Sequence, residues 1–263
     1  MHAFLGLILA ISITVRNRFG MHEYITINRL HDLAKLVFAF SFSQNNRFSA
    51  YAVKVAPENE ETVVKLIDDY FSNNKYEGVT VSLYSIMFTA ADLNFTHELI
   101  FSGEPEAMAK LYSPEFGDTS WQLFATKLNA FVDENVFSAN GWRAMTYGDV
   151  MPFQMVNILK GDNENMNKWR RMQRELRNNH PQRENTSFAT GGITVGGPSN
   201  EGNNWIVFGF KTYADYLSNW ADSRKYREDN PKFVEDREKM NAEIDYSEIE
   251  SVKKFMRLLV KQW

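Results

Sequence analysis

Four side chains hold most of the chemistry this sequence could offer a ligand: Asn157, His97, Trp205 and Tyr213. Asn157 stands in PFQMVNILKG (152–161), where strand alternation puts it on one face with Phe153, Met155 and Leu159. A polar group among apolar neighbours finds a hydrogen-bond partner or costs about 1–3 kcal/mol. The plainer outcome is a local partner, and the functional one is a ligand. His97 adjoins Glu98, but alternation sends His97 with Leu99 and Glu98 with Ile100 to opposite faces, so the two form no acid–base dyad. Trp205 opens the run WIVFGF and Tyr213 the segment after it, amid Tyr84, Phe88, Trp142, Phe208, Phe210 and Tyr216. Most of these rings belong to a core. A cleft lined by them would suit a flat apolar ligand with one polar handle, and Asn157, His97 and Trp205 are the handles available.

Other chemistries are absent from the sequence. There is no cysteine, so disulfides, thiolate metal sites and cysteine nucleophiles are excluded. No two histidines have metal-ligand spacing, and His180 sits before Pro181 in the polar loop NNHPQREN, so no metal is expected. The glycines of GGITVGG fit neither a dinucleotide nor a P-loop pattern and read as permitting a bulge or close backbone approach in a strand. No GxSxG elbow occurs. The basic cluster Lys168, Arg170, Arg171, Arg174 and Arg177 reads as the solvated face of a helix, and with a net charge of -4 no nucleic-acid partner is expected.

The elements that must position these groups follow a regular order. FSAYAVKV (48–55) is a predicted strand. A helix follows, with Val63, Val64, Leu66, Ile67, Tyr70 and Phe71 on one stripe. VTVSLYSIMFT (79–89) and THELIFSG (96–103) are strands, and EPEAMAKLY starts a helix with Pro105 at an early position. The order strand, helix, strand, strand, helix then recurs. PFQMVNILKG, ENMNKWRRMQREL, SFATGGITVGG, WIVFGF and TYADYLSNWADSR carry it, offset by 105 residues from Phe48 to Phe153 and by 107 from Ala107 to Ala214. An extra helix is predicted over 120–137, leading through the turn SANGW. Two more are predicted at the end, NPKFVEDREKMNAEI and YSEIESVKKFMRLLVKQW, the last from the spacing of Ile249, Val252, Met256, Leu259 and Trp263.

A strand–helix–strand–strand–helix unit is the ferredoxin-like arrangement, and one unit alone leaves a sheet face bare. The duplicated order resembles the dimeric α/β-barrel superfamily, in which two such units pack sheet to sheet. The resemblance covers roughly 48–225 and rests on topology, with no diagnostic motif. It implies an α+β fold of tandem ferredoxin-like βαββα units forming a pseudo-dimeric barrel, with extra C-terminal helices. It further implies a choice among the superfamily's activities, which include cofactor-independent and haem-degrading monooxygenases, decarboxylases and cyclases. The haem-degrading group uses an Asn on its first strand with a His and a Trp nearby. Asn157 matches the Asn, in the second half alone, because Ala52 is aligned with it in the first. If the copies differ in function, the second half, richer in aromatic residues, is expected to hold the site.

The chain has 263 residues, 44% hydrophobic and 14% aromatic, ample for a buried core. Ala3–Val15 is apolar but too short to span a bilayer. From Met21 a second leader-like segment ends in SFSQNN, with Ser41 and Ser43 suited to cleavage before Gln44. The expected organisation is a leader at 1–43, a first unit with its extra helix at 44–149 and a second unit with the C-terminal helices at 150–263. Export to the periplasm or medium is expected, with a cytoplasmic location as the alternative, and no membrane span. Whether the chain is an enzyme stays open. The first reading is a monomeric pseudo-dimer that binds a small apolar or aromatic ligand without a cofactor. The second is a monooxygenase, with haem as the alternative cofactor, in which Asn157 orients the substrate and Trp205 packs on it. The third is an interaction protein docking through its C-terminal helices.

Overall fold

Alternation in RFSAYAVK sends Ala50 and Ala52 to one face of strand β1 (Arg47–Lys54) and Ser49, Tyr51 and Val53 to the other. The computed structural model of the protein, which describes residues 46–113, 119–181 and 183–263, builds the whole first half on that two-sidedness. The leader at 1–43, with His2, His22 and His31, lies outside the described residues. Helix α1 (Glu60–Asn73) buries Val63, Ile67, Tyr70 and Phe71, the stripe read from the sequence. Strands β2 (Val79–Phe88) and β3 (His97–Gly103) follow, then helices α2 (Pro105–Leu111) and α3 (Thr119–Asn129) and strand β4 (Glu134–Tyr147). The second half repeats the pattern: β5 (Phe153–Gly161), α4 (Asn163–Asn179), β6 (Thr186–Gly196), β7 (Asn204–Phe210), α5 (Tyr213–Asp229), α6 (Pro231–Asn241) and β8 (Ile249–Gln262).

The eight strands close an antiparallel barrel in the order β1-β3-β2-β8-β5-β7-β6-β4. Closure leaves no strand edge unpaired. Ala52, Val156, Ile158, Trp205 and Phe255 pack in one cluster that fills the interior, and the helices cover the outside over two further cores, one per half. No helix among the described residues is long and apolar enough to cross a membrane.

Two elements correct the sequence reading, and they are the same element in each half. The extra helix stops at Asn129, and the residues taken as its end and as the turn SANGW form β4. Of the two C-terminal helices expected, α6 forms, whereas YSEIESVKKFMRLLVKQW becomes a short 3-10 turn and β8. Of the C-terminal helices expected to form a docking surface, α6 alone is present. β4 pairs with β1 of its own half and β6 of the other, and β8 with β5 and β2. Their identity is thus set by partners far along the chain. In β8 the consecutive residues Phe255, Met256 and Arg257 are all buried, so the strand is covered on both faces and shows no alternation to read.

The ladders also correct the alignment of the halves. Val53 pairs with His97 where Leu159 pairs with Asn204, and Arg47 with Gly103 where Phe153 pairs with Phe210. Asn157 therefore corresponds to Tyr51, not Ala52. A slip of one residue exchanges the faces of a strand.

Of the glycines of GGITVGG, Gly191, Gly192 and Gly196 serve close approach, one of the two roles expected of them, while Gly197 takes a positive φ of 115°. A Cβ at Gly191 would lie 1.9 Å from the carbonyl oxygen of Trp142 and 2.6 Å from Cζ2 of Trp205. Gly191→Ala is therefore expected to lower unfolding stability by about 1–3 kcal/mol, measured by urea titration.

The C-terminus is tied to α1 through Asp68, which accepts hydrogen bonds from Lys261 Nζ (2.5 Å), Ser72 Oγ (2.6 Å) and Trp263 Nε1 (3.1 Å). The Lys261 bond, followed by those from Ser72 and Trp263, holds its carboxyl down to about 2. A depressed carboxyl contributes stability that is present above its unfolded value near 4 and is lost as pH falls through the folded value. Acidification from pH 4 to pH 2 should therefore release Trp263 from Phe71, 5.6 Å away between centroids, and change its fluorescence. Asp68→Asn should abolish that step.

Candidate functional site

The outer sheet face of the second half carries Met155, Phe188, Phe208 and Phe210, and α4 lays Trp169, Met172 and Leu176 over it. The helix follows the sequence. Asp162 caps it, accepting from the backbone N–H groups of Glu164 (2.8 Å) and Asn165 (3.0 Å), and its apolar stripe faces the sheet. Helices α5 and α6 do not seal the space beyond. A cavity of about 660 Å³ remains between sheet and helices, within the range of small-molecule sites.

Its charged groups among the described lining residues are of one sign. Arg177, Arg183, Arg227 and Arg237 line it with Tyr147 and Tyr226, and no carboxylate stands among the described lining residues. Arg177 lies with its guanidinium carbon 3.9 Å from the Phe188 ring centroid and 5.8 Å from that of Tyr147. Burial pulls its pKa down to about 10. Arg183 donates to two neutral oxygens, Ser223 Oγ (2.5 Å) and Asn219 Oδ1 (2.9 Å), and burial lowers its pKa as well. Tyr226 donates to the carbonyl of Pro181 (2.7 Å) and Tyr147 to Asn178 Oδ1 (3.2 Å), and burial raises both phenols. The arrangement is an aromatic slot with a cationic wall, fit to hold a flat anion.

The solvated face assigned to the basic cluster is also corrected. Arg170 and Arg177, seven residues apart, share the apolar side of α4. Arg170 is buried, stacks 4.8 Å over Trp142 and donates to the Gly191 carbonyl (3.2 Å) and to Asn204. Lys168 and Arg171 do face outward, to Glu164 (2.6 Å) and Glu243 (2.5 Å). The i, i+7 spacing was the available signal for the buried pair. Arg183, in a polar loop, gave none.

The four residues singled out from the sequence do not share a site. Asn157 is on the outer face of β5, half-buried, where Ser251 Oγ donates to its Oδ1 at 2.5 Å. Trp205 points into the barrel, edge-on to Phe48 at 5.7 Å, and the pairing Asn157–Ile206 beside Ile158–Trp205 puts Asn157 and Trp205 on opposite faces. Tyr213 opens α5 and packs against Phe153 (6.0 Å) and Phe88 (6.4 Å). His97 faces a smaller apolar cavity in the first half, and Glu98 points into the barrel to Arg257, as alternation required.

No family model matches the sequence, and no curated protein matches it. Solved structures do. A candidate monooxygenase from Fusobacterium nucleatum subsp. nucleatum superposes with a TM-score of 0.55 at 13% identity, over 83% of this chain and 94% of the other. A candidate monooxygenase from Lactobacillus acidophilus gives 0.51 at 10% identity, over 82% and 94%. At such identities the likeness is one of fold. With the closed eight-stranded barrel of two repeated halves, it identifies the architecture: the chain has the dimeric α/β-barrel fold, both ferredoxin-like units lying on one polypeptide.

Proposed function

We propose that the chain binds a planar aromatic anion in the cleft of its second half. One observation carries this reading: four arginines and no described carboxylate line an aromatic cavity of about 660 Å³. Cations held beside aromatic faces without an acid in the wall favour an anionic guest, and the rings supply apolar contact for its body. The cavity sits in the half that the aromatic content of the sequence singled out. Calorimetric titration with 2-naphthoate and with its neutral analogue 2-naphthylmethanol tests it. The carboxylate is expected to bind at least about tenfold tighter, with an affinity that falls as salt rises. Equal affinities would sink the proposal.

Haem does not fit this cavity. Porphyrin carboxylates would suit the arginines, but iron needs an axial ligand, and no histidine stands among the described lining residues. The nearby His180 keeps Nε2 against Asp236 Oδ2 at 3.1 Å, and its ring lies edge-on to Phe233. The phenols of Tyr147 and Tyr226 are pushed away from the phenolate form that would bind iron.

A second reading takes the bound anion as a substrate. The arginines would stabilise the enolate or phenolate of a polycyclic aromatic ketone, an electron-rich form able to react with O₂ directly. In such a monooxygenation one oxygen atom converts an activated CH₂ to a carbonyl and the other leaves as water. The names of the two fold neighbours point the same way. Oxygen uptake with such a ketone, absent when the protein is heat-denatured, would support it. The proposal includes export with cleavage before Gln44, which N-terminal sequencing of the protein from its native cells checks.

A further inference from the structure

The first half has its own cavity, about 260 Å³, between the outer face of β1, β2 and β3 and the helices α1 and α3. Its walls differ from those of the second-half cleft. They are almost wholly apolar, with Val63, Leu83, Phe101 and Phe124 among them, and no arginine or lysine stands in the described lining. Tyr51 and Tyr112, whose hydroxyls bond to each other at 2.8 Å, are 37% and 57% exposed and stand at its mouth.

A histidine ring lines this space behind the two tyrosines. His97 is 3% exposed. Its Nδ1 lies 2.9 Å from Thr96 Oγ1, which already accepts from the backbone N–H of Val55 at 3.0 Å. The Thr96 hydroxyl proton has two acceptors within reach, Nδ1 at 2.9 Å and the carbonyl of Val53 at 3.4 Å, and the nearer takes it. Nδ1 is then an acceptor, and the ring proton of the neutral imidazole resides on Nε2. Burial lowers the pKa of His97, which keeps the ring uncharged. Nε2 has no hydrogen-bond partner among the described residues. Nε2 is not sealed in the core, and His97 lines the cavity, so a ligand's acceptor can reach this donor.

We infer that this cavity is a second binding site, one for a small uncharged ring compound whose carbonyl oxygen accepts a hydrogen bond from His97 Nε2. The volume suits one or two fused rings, and the absence of described cations from the wall separates its ligand class from that of the other cleft. Tyr51 corresponds in the ladder to Asn157, and His97 to Asn204, so the second half has no copy of the pairing of histidine and aromatic mouth.

The test uses the full chain with histidine labelled in ¹⁵N, observed by NMR. Acetophenone is expected to give a saturable shift of the His97 Nε2 signal and to bind at least about tenfold tighter than ethylbenzene, which has the ring without the acceptor. His97→Phe should bring the two affinities together. A shift that never appears up to the solubility limit, or equal affinities in the parent, overturns the inference. Should His97→Phe fail to fold, Ala125→Trp on α3 decides: it fills the space and must abolish binding, and binding that survives it overturns the site. Saturating 2-naphthoate should leave acetophenone binding unchanged, and displacement would show one shared site.

Discussion

Arg177→Met is expected to weaken 2-naphthoate binding by about 10- to 100-fold while leaving the protein as stable as the parent, or slightly more so. The two effects separate because they have different origins. Binding depends on a charge held over the Phe188 ring at 3.9 Å, at the deep end of the arginine wall. A charge-assisted hydrogen bond to a carboxylate in that enclosed setting is stronger than a neutral one, and losing it accounts for the drop. Stability depends on the cost of enclosing the guanidinium, which the lowering of its pKa to about 10 by burial records. Methionine keeps an unbranched apolar stem against Phe188 and removes that cost. Arg183→Met should weaken binding less, because burial perturbs Arg183 less than Arg177 and its charge is the more exposed to solvent. Calorimetry and urea denaturation on the same preparations give both quantities. Loss of binding together with a large loss of stability would mean that Arg177 is a packing residue. Unchanged binding would remove the deep cation from the site.

Much of this fold could be read from spacing, and the unread part has a common cause. β1 and β5 alternate because one face meets the barrel interior and the other a helix-covered core, and α1 and α4 show stripes because each buries one side. β4 and β8 were hidden because a strand joining two halves is defined by partners such as Gly196 for Ala139 or Gln262 for Ser82, which no local window contains. The site was legible only in outline. Aromatic enrichment pointed to the second half, but Trp205 faces inward and Asn157 outward, and a strand spacing alone does not say which face carries a ligand. The cationic wall went unseen because Arg183, Arg227 and Arg237 lie apart in the sequence and because arginines clustered like Arg170 and Arg177 usually face water. Those two turn inward because the wide sheet–helix gap can take their length, a fact of packing rather than of pattern.

Removing the glutamate of the barrel interior should have the largest effect on stability: Glu98→Leu is expected to cost about 3–5 kcal/mol. Glu98 and Arg257 are 4% and 7% exposed, and Arg257 Nη1 donates to the Glu98 carboxylate. Arg257 also donates to Gln154 Oε1 from Nε (3.0 Å) and Nη2 (2.8 Å), and its guanidinium carbon lies 4.0 Å from the Tyr84 ring centroid. The network joins β2 and β3 of the first half to β5 and β8 of the second, through the middle of the barrel. Without Glu98 the arginine keeps its buried charge with no counter-charge, and Arg143, whose pKa is lowered by burial and further by Arg257, adds a second cation nearby. Arg257→Met should cost a similar amount by stranding the carboxylate. The double variant Glu98→Leu with Arg257→Met removes both charges and should recover most of the loss, because an apolar pair of similar volume meets no desolvation cost. Urea denaturation of the four proteins gives the coupling energy directly. If the double variant is destabilised by the sum of the single losses, the pair is not acting as a unit and the halves are held by the ladders alone. In the second half the position of Glu98 is filled by Trp205. The pair therefore has no symmetric copy, and against a total stability of about 5–15 kcal/mol the stranding of either partner alone is a large fraction of the whole.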